Sequence, residues 1–237
     1  NNSPLLLKKK INLKNITFKY SEKSFPVIQN LNLTILKGEK IGIVGKTGAG
    51  KSTLVDIIMG LVEPSEGSIC IDGINLFNDK SEDLLKSWQD SLMHVPQNIF
   101  LADSSIAENI ALGVNKKDID YDRVNYVAKQ TQLIDFIDEN KDGFDTFVGE
   151  RGIRLSGGQK QRIGIARALY KGAKIILLDE ATSALDNITE EKIVESLNYL
   201  GSDITIIIIA HRLNTLRFCD KVFELRQGNL TQKNLFS

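Results

Sequence analysis

The residues Gly45-Lys46-Thr47-Gly48-Ala49-Gly50-Lys51-Ser52-Thr53 carry the spacing G-x-x-x-x-G-K-[ST]. Glycines at these positions let backbone N–H groups turn inward on phosphate oxygens. Lys51 is placed to neutralise β- and γ-phosphate charge, and Ser52 to offer a hydroxyl to Mg²⁺. A glycine-rich turn can match such a pattern by chance, so context decides. Here the apolar run Lys40 to Val44 precedes it and helix-forming residues follow from Lys51, as a nucleotide site requires. The helix that begins there adds the positive end of its dipole.

Two further stretches offer chemistry. Ile175-Ile176-Leu177-Leu178-Asp179-Glu180 describes a buried strand whose last carboxylate emerges at the carboxyl edge of a sheet, where ligands of such sheets bind. Asp179 is suited to hold Mg²⁺ and Glu180 to orient or deprotonate an attacking water. Alone, this is an acidic turn after a core strand; the phosphate loop gives it meaning. Ser156-Gly157-Gly158-Gln159 opens a stretch with Ile163, Ala166 and Leu169 on one helical face. Ser156 is its expected N-cap, and two glycines there admit an anion. One nucleotide does not need two phosphate-recognising surfaces from one chain, so this helix end is expected to cap a γ-phosphate held by another subunit.

The elements that must position these residues form an α/β pattern. Ile11 and Leu13, then Ile16, Phe18 and Tyr20, alternate as in strands, as do Leu31, Leu33 and Ile35, with turns at Pro26 and Lys37-Gly38. This is an expected N-terminal antiparallel layer. The phosphate-loop helix is expected from about Lys51 to Leu61, and a helical block over about 81–170. A strand-helix-strand unit follows, with strands at Lys174 to Asp179 and Ile204 to Ala210 and a helix from about Thr189 to Leu200. The expected fold class is thus α/β: a P-loop ATPase core with a parallel sheet, the antiparallel layer and an inserted helical subdomain.

Composition bounds the function. Lys plus Arg and Asp plus Glu balance at 30 each over 237 residues, so no net charge draws the chain to nucleic acid. Cys70 and Cys219 lack C-x-x-C spacing and sit in apolar contexts, as free thiols of a reducing, cytosolic compartment do. The run Ile204 to Ala210 falls short of the roughly 20 residues a membrane helix needs. The expectation is a chain without membrane segment or signal peptide that, starting at Asn1, is cut from a longer protein.

Leu155-Ser156-Gly157-Gly158-Gln159, combined with the phosphate loop and the Asp179-Glu180 strand, resembles the nucleotide-binding domain of ATP-binding cassette (ABC) transporters over nearly the whole chain. The resemblance implies ATP and Mg²⁺ as ligands. Tyr20 resembles the aromatic that stacks on adenine, and Val27 lies beside it in the implied nucleotide set, which also takes in Gly45, Thr47, Gly48, Ala49, Gly50, Lys51, Ser52, Thr53 and Ser156 to Gln159. Gln97 resembles the glutamine that reaches Mg²⁺ and the attacking water. Asp186, in Ser183-Ala184-Leu185-Asp186, resembles the loop that crosses a dimer interface, and His211 the switch histidine that contacts the γ-phosphate. Catalysis then falls to Glu180, His211, Lys51 and Gln97, and the metal to Ser52, Gln97 and Asp179. His94 has no such match.

Asp145 to Gly152, Asn98 to Leu101 and Ser105 to Ile110 look like exporter segments, the first being a loop that touches the coupling helices of a membrane domain. This implies residues 1–10 as a linker from an N-terminally fused transmembrane domain, residues 11–237 as the nucleotide-binding domain, and a place at the cytoplasmic face of the membrane. It also implies a second nucleotide-binding domain as partner, in a homodimer or heterodimer, and ATP hydrolysis coupled to translocation. The run Gly149 to Arg154 is reminiscent of exporters of lipid-linked saccharides or polysaccharides. The alternatives are a stand-alone importer ATPase, or a non-transport ATPase of the same family. A chromosome-organising head would carry a long coiled-coil insertion ahead of the signature, and this chain has none.

Overall fold

A computed structural model describes residues 7–77, 82–179, 193–198, 200–210 and 216–234. The chain divides into two compact units, one of residues 1–93, 174–179 and 202–237, the other of 94–173 and 180–201.

In the first unit the antiparallel layer has the order β2-β1-β4-β5, from β1 (Lys10–Phe18), β2 (Ile28–Leu36), β4 (Glu66–Ile71) and β5 (Ile74–Asn75). The apolar alternation of β1 changes phase between Leu13 and Ile16. A strand can keep both halves facing the core only by inserting a bulge. The register with β2 shifts at that point, with Asn15 in the left-handed region at φ 51°. Ile11, Leu13, Ile16 and Phe18 are all buried as a result.

The second sheet has the order β10-β9-β3-β8-β7-β6, with β3 at Lys40–Val44, β6 at Leu92–Val95, β7 at Ile175–Asp179, β8 at Thr205–Ala210, β9 at Lys221–Arg226 and β10 at Asn229–Lys233. β3 pairs parallel to both β8 and β9, and β7 parallel to β8. β7 and β8 carry near-continuous apolar runs because both of their faces are covered; all six residues of β8 are buried. Val44 pairs with Ala210 and Asp179 with Ile209. The carboxyl ends of β3 and β7 therefore lie level with β8 between them, about 10 Å apart at ordinary strand spacing.

Helix α1 (Lys51–Ile58) follows the phosphate loop. Its last carbonyls are each satisfied. Val55 accepts from the Met59 N–H, Asp56 from Leu61 and Ile57 from Gly60, while Ile58 accepts from the indole N–H of Trp88 at 2.9 Å. Trp88 is fully buried on α2 (Glu82–Ser91). The helical block expected from about residue 81 thus splits: α2 anchors the phosphate-loop helix in the first unit, and the second unit begins at His94.

The second unit is built on α3 (Ile106–Ile110), α4 (Tyr121–Gln130), α5 (Ile134–Asp138) and α6 (Gly157–Tyr170), with a helical stretch at 193–198. Ile106, Val124, Val148, Ile163 and Ala166 belong to its core. Asn109 is buried at its centre, its amide donating to the carbonyls of Ala102 and Ser105 and accepting from the Ala102 N–H.

Replacing Trp88 by Phe keeps most of the ring and removes the donor to Ile58. Stability should fall by about 1–3 kcal/mol, the cost of an unsatisfied buried carbonyl, in urea denaturation followed by far-ultraviolet circular dichroism. An unchanged midpoint would show that the bond contributes nothing.

Candidate functional site

The phosphate loop is shaped by close backbone approach. A Cβ on Gly45 would lie 2.5 Å from the Leu225 carbonyl oxygen, so no larger residue fits where β3 leaves the sheet. Gly50, the N-cap of α1, adopts φ 101°, and a Cβ there would sit 3.0 Å from the Val27 carbonyl. Gly48 is also left-handed, at φ 80°, but faces open space; there conformation alone calls for glycine. The turn closes through the Ala49 N–H to the Lys46 carbonyl, 3.1 Å. No side chain caps α1, so its first-turn N–H groups face the loop's mouth as an anion site.

Lys51 is only 6% exposed, its ammonium donating to the carbonyls of Gly45 at 2.9 Å and Lys46 at 3.3 Å. Those carbonyls hold the charge beside the loop. Ser52 and Thr47 are exposed. Among the described residues no cluster of three His, Cys, Asp or Glu side chains forms a metal cage. Mg²⁺ keeps its waters and takes one or two protein oxygens with substrate phosphates. Ser52 and Asp179, at the same sheet edge, are oxygen donors of the right kind.

Tyr20 is 68% exposed yet held at two points. Its ring stands edge-on to Phe18, centroids 5.1 Å apart, and its hydroxyl lies 2.8 Å from the Thr53 Oγ1. Thr53 is buried on α1, so the phosphate-loop helix itself orients the aromatic, with Val27 beside Gly50. Thr53, expected only as a nucleotide contact, thus has a structural task as well.

In the second unit Ser156 is the N-cap of α6. Its Oγ accepts from the Gln159 N–H at 3.2 Å and Gln159 Oε1 accepts from the Ser156 N–H at 2.8 Å. This capping box engages both side chains, and leaves the exposed Gly157 and the buried Gly158 as the open end of the helix. Gln97 is exposed, and its carbonyl accepts from Gln161. Gln161 was not legible as functional: a glutamine within a helix gives no sequence sign of its burial or of a partner 64 residues away. Glu180, Asp186 and His211, together with Ser183 to Leu185, lie outside the described residues.

The exporter-like segments Asn98 to Leu101 and Ser105 to Ile110, near neighbours in the chain, meet the distant Asp145 to Gly152 in this unit. The Ile106 N–H donates to Thr146 and the Val148 N–H to Ser104, with a bridge between Ser105 and Phe147. Gly152 packs so closely that a Cβ would lie 2.5 Å from Leu101. Beside this junction is a cavity of about 680 Å³ lined by Asp103, Phe136, Asp142, Phe147 and Arg154 among others. Ile153, 80% exposed, and Phe100 stand out to solvent.

A family model described as ABC transporter matches residues 28–183. The chain is 43% identical over 224 residues to ABC transporter B family member 29, chloroplastic, of Arabidopsis thaliana, covering 94% of this chain and 35% of that protein. It is also 43% identical over 225 residues to the ATP-dependent lipid A-core flippase of Pseudoalteromonas translucida, covering 94% and 38%. A solved bacterial Atm1-family ABC exporter with ATP bound superposes with a TM-score of 0.83 at 37% identity, covering 98% of this chain and 40% of that one. The chain therefore spans just over a third of the length of the curated relatives it matches. No helix among its described residues is long and apolar enough to cross a membrane. With the strand, loop and helix of the phosphate site and the capped signature helix in place, the chain belongs to the ABC transporter family, as its ATP-binding, ATP-hydrolysing domain.

Proposed function

We propose that this domain powers an exporter, closing head to tail with a second nucleotide-binding domain around two ATP molecules. The observation that carries the reading is the presence of two uncapped or glycine-opened helix ends in different units: α1 behind the phosphate loop and α6 behind Ser156. Each suits an anion, and one bound ATP takes the first from one domain and the second from its partner.

Lys51 draws β- and γ-phosphate charge, and the amides of Gly48 to Ser52 surround the phosphates. Mg²⁺, when bound through Ser52, Asp179 and Gln97, supplies charge neutralisation on phosphate oxygens. Glu180 polarises the attacking water and His211 contacts the γ-phosphate as charge develops in the transition state. Loss of the bridging γ-phosphate then releases the closure, which drives alternating access in a membrane domain at the cytoplasmic face. The junction of residues 98–110 with 145–152 supports a docking role toward that domain, with Ile153 and Phe100 as its exposed apolar groups. Relatives named lipid A-core flippases favour an amphiphilic cargo, a lipid or a lipid-linked saccharide, which the membrane domain selects.

Glu180→Gln should retain ATP binding, lose most turnover and shift from monomer to dimer only with Mg-ATP, as measured by size exclusion with light scattering. Binding without any dimer in the complete protein would contradict the shared-site reading. Tyr20→Ala should weaken ATP by about tenfold to a hundredfold, on the scale of roughly 1–3 kcal/mol for base stacking, leaving tripolyphosphate affinity unchanged. Thr53→Val, which frees the Tyr20 hydroxyl, should lose several-fold in the same titration; equal losses for ATP and tripolyphosphate would exclude stacking.

A further inference from the structure

Helix α6 does more than present Gly157 and Gly158. Gln161, 5% exposed, donates from Nε2 to the Gln97 carbonyl at 2.6 Å and to the Pro96 carbonyl at 3.4 Å. One turn on, a Cβ at Gly164 would come within 2.7 Å of Ile99 Cδ1 and 3.1 Å of Val95 Cγ1, so the helix backbone lies directly against this segment. A further turn along, Arg167 donates to the Phe100 carbonyl at 3.1 Å and the Asn109 carbonyl at 3.0 Å. Residues 161, 164 and 167 share one helical stripe, and residues 95–100 run along it.

The Gln161 amide is retained at a cost. Its Oε1 is buried without a hydrogen-bond partner, whereas methionine would fill similar volume with no orphaned acceptor. Only the donor end has a task, and that task is the backbone of Pro96 and, at the shorter distance, Gln97. Two carbonyl oxygens converging on one nitrogen also exclude a carboxylate there.

We infer that Gln161 is a positioning residue that fastens the Gln97 segment to the signature helix, so that the two move as one piece. The helix end that caps ATP in the partner domain is thereby tied to the glutamine that serves the domain's own Mg²⁺ and water. Occupancy of one site then reports to the other through this helix face, on which the Gln161 amide is the contact made to Gln97. The inference rests on the role proposed above for Gln97.

The test is a double-mutant cycle in the complete membrane-embedded protein, following ATPase against ATP and against Mg²⁺. Gln161→Met should lower kcat by about fivefold to tenfold, the scale of one buried hydrogen bond, and raise the Mg²⁺ needed for half-activity, with KM for ATP held within about twofold. In the background of Gln97→Ala it should cost nothing further, because its effect passes through Gln97. Additive losses, or an unchanged kcat in Gln161→Met, would overturn the inference. If Gln97→Ala itself alters neither kcat nor the Mg²⁺ dependence, the Gln97 assignment fails and this inference fails with it. Should Gln161→Met not fold, Gly164→Ala decides: it should push on Ile99 and reproduce the Mg²⁺ defect, and Ile99→Val, which removes Cδ1, should restore activity. A Gly164→Ala defect that Ile99→Val leaves in place counts against the coupling.

Discussion

The close approach of the chain at Gly45, just past the end of β3, to the backbone of its neighbour β9 governs the phosphate site. With the Leu225 carbonyl 2.5 Å from where a Cβ would stand, the chain turns out of the sheet at once and begins α1 within a few residues. That sharp exit keeps the uncapped helix end next to the strand edge. Everything that reads the nucleotide in this unit is then referred to the same backbone. Asp179 is held level through β8, Lys51 by the loop's own carbonyls, and Tyr20 by Thr53 on the helix. Parallel pairing of β3 on both sides is what makes the exit rigid.

The second unit solves a related problem with different means. Its helix end is shaped by a capping box, so the side chains of Ser156 and Gln159 take part in building the helix. The buried amide of Asn109 ties 102 to 105, the loop carbonyls accept from Arg167, and Gly152 lets the 149–154 loop lie on Leu101. Burial lowers the pKa of the Arg162 and Arg167 guanidinium groups, a cost met partly by their hydrogen bonds to the carbonyls of Gln132, Phe100 and Asn109.

Local requirements were legible in the sequence, and long-range ones were not. The phosphate loop, the N-cap at Ser156 and the strand ends at Val44 and Asp179 all follow from neighbouring residues. The phase change at Leu13 to Ile16 even carries the bulge of β1. Periodicity does not reveal the unit boundary at His94, because α2 joins the first unit through contacts distant in sequence, Trp88 on the Ile58 carbonyl and Gln89 on the Gly60 carbonyl. Gln161 was missed for the same reason: its partner lies 64 residues away. The spacing Ser156-x-x-Gln159 is itself a capping-box pattern, so that pair of bonds is a local feature as well.

The hydroxyl tether from Tyr20 to Thr53 sets a fixed distance between the aromatic face and the phosphate loop. A base stacked on that face meets no lattice of donors and acceptors from Tyr20, only a flat surface, and every nucleobase has one. What the tether fixes is a span: ring and phosphate loop are spaced by one hydroxyl contact and one helix, so the separation belongs to the fold before any ligand arrives, and the ring itself carries no group that reads a base edge.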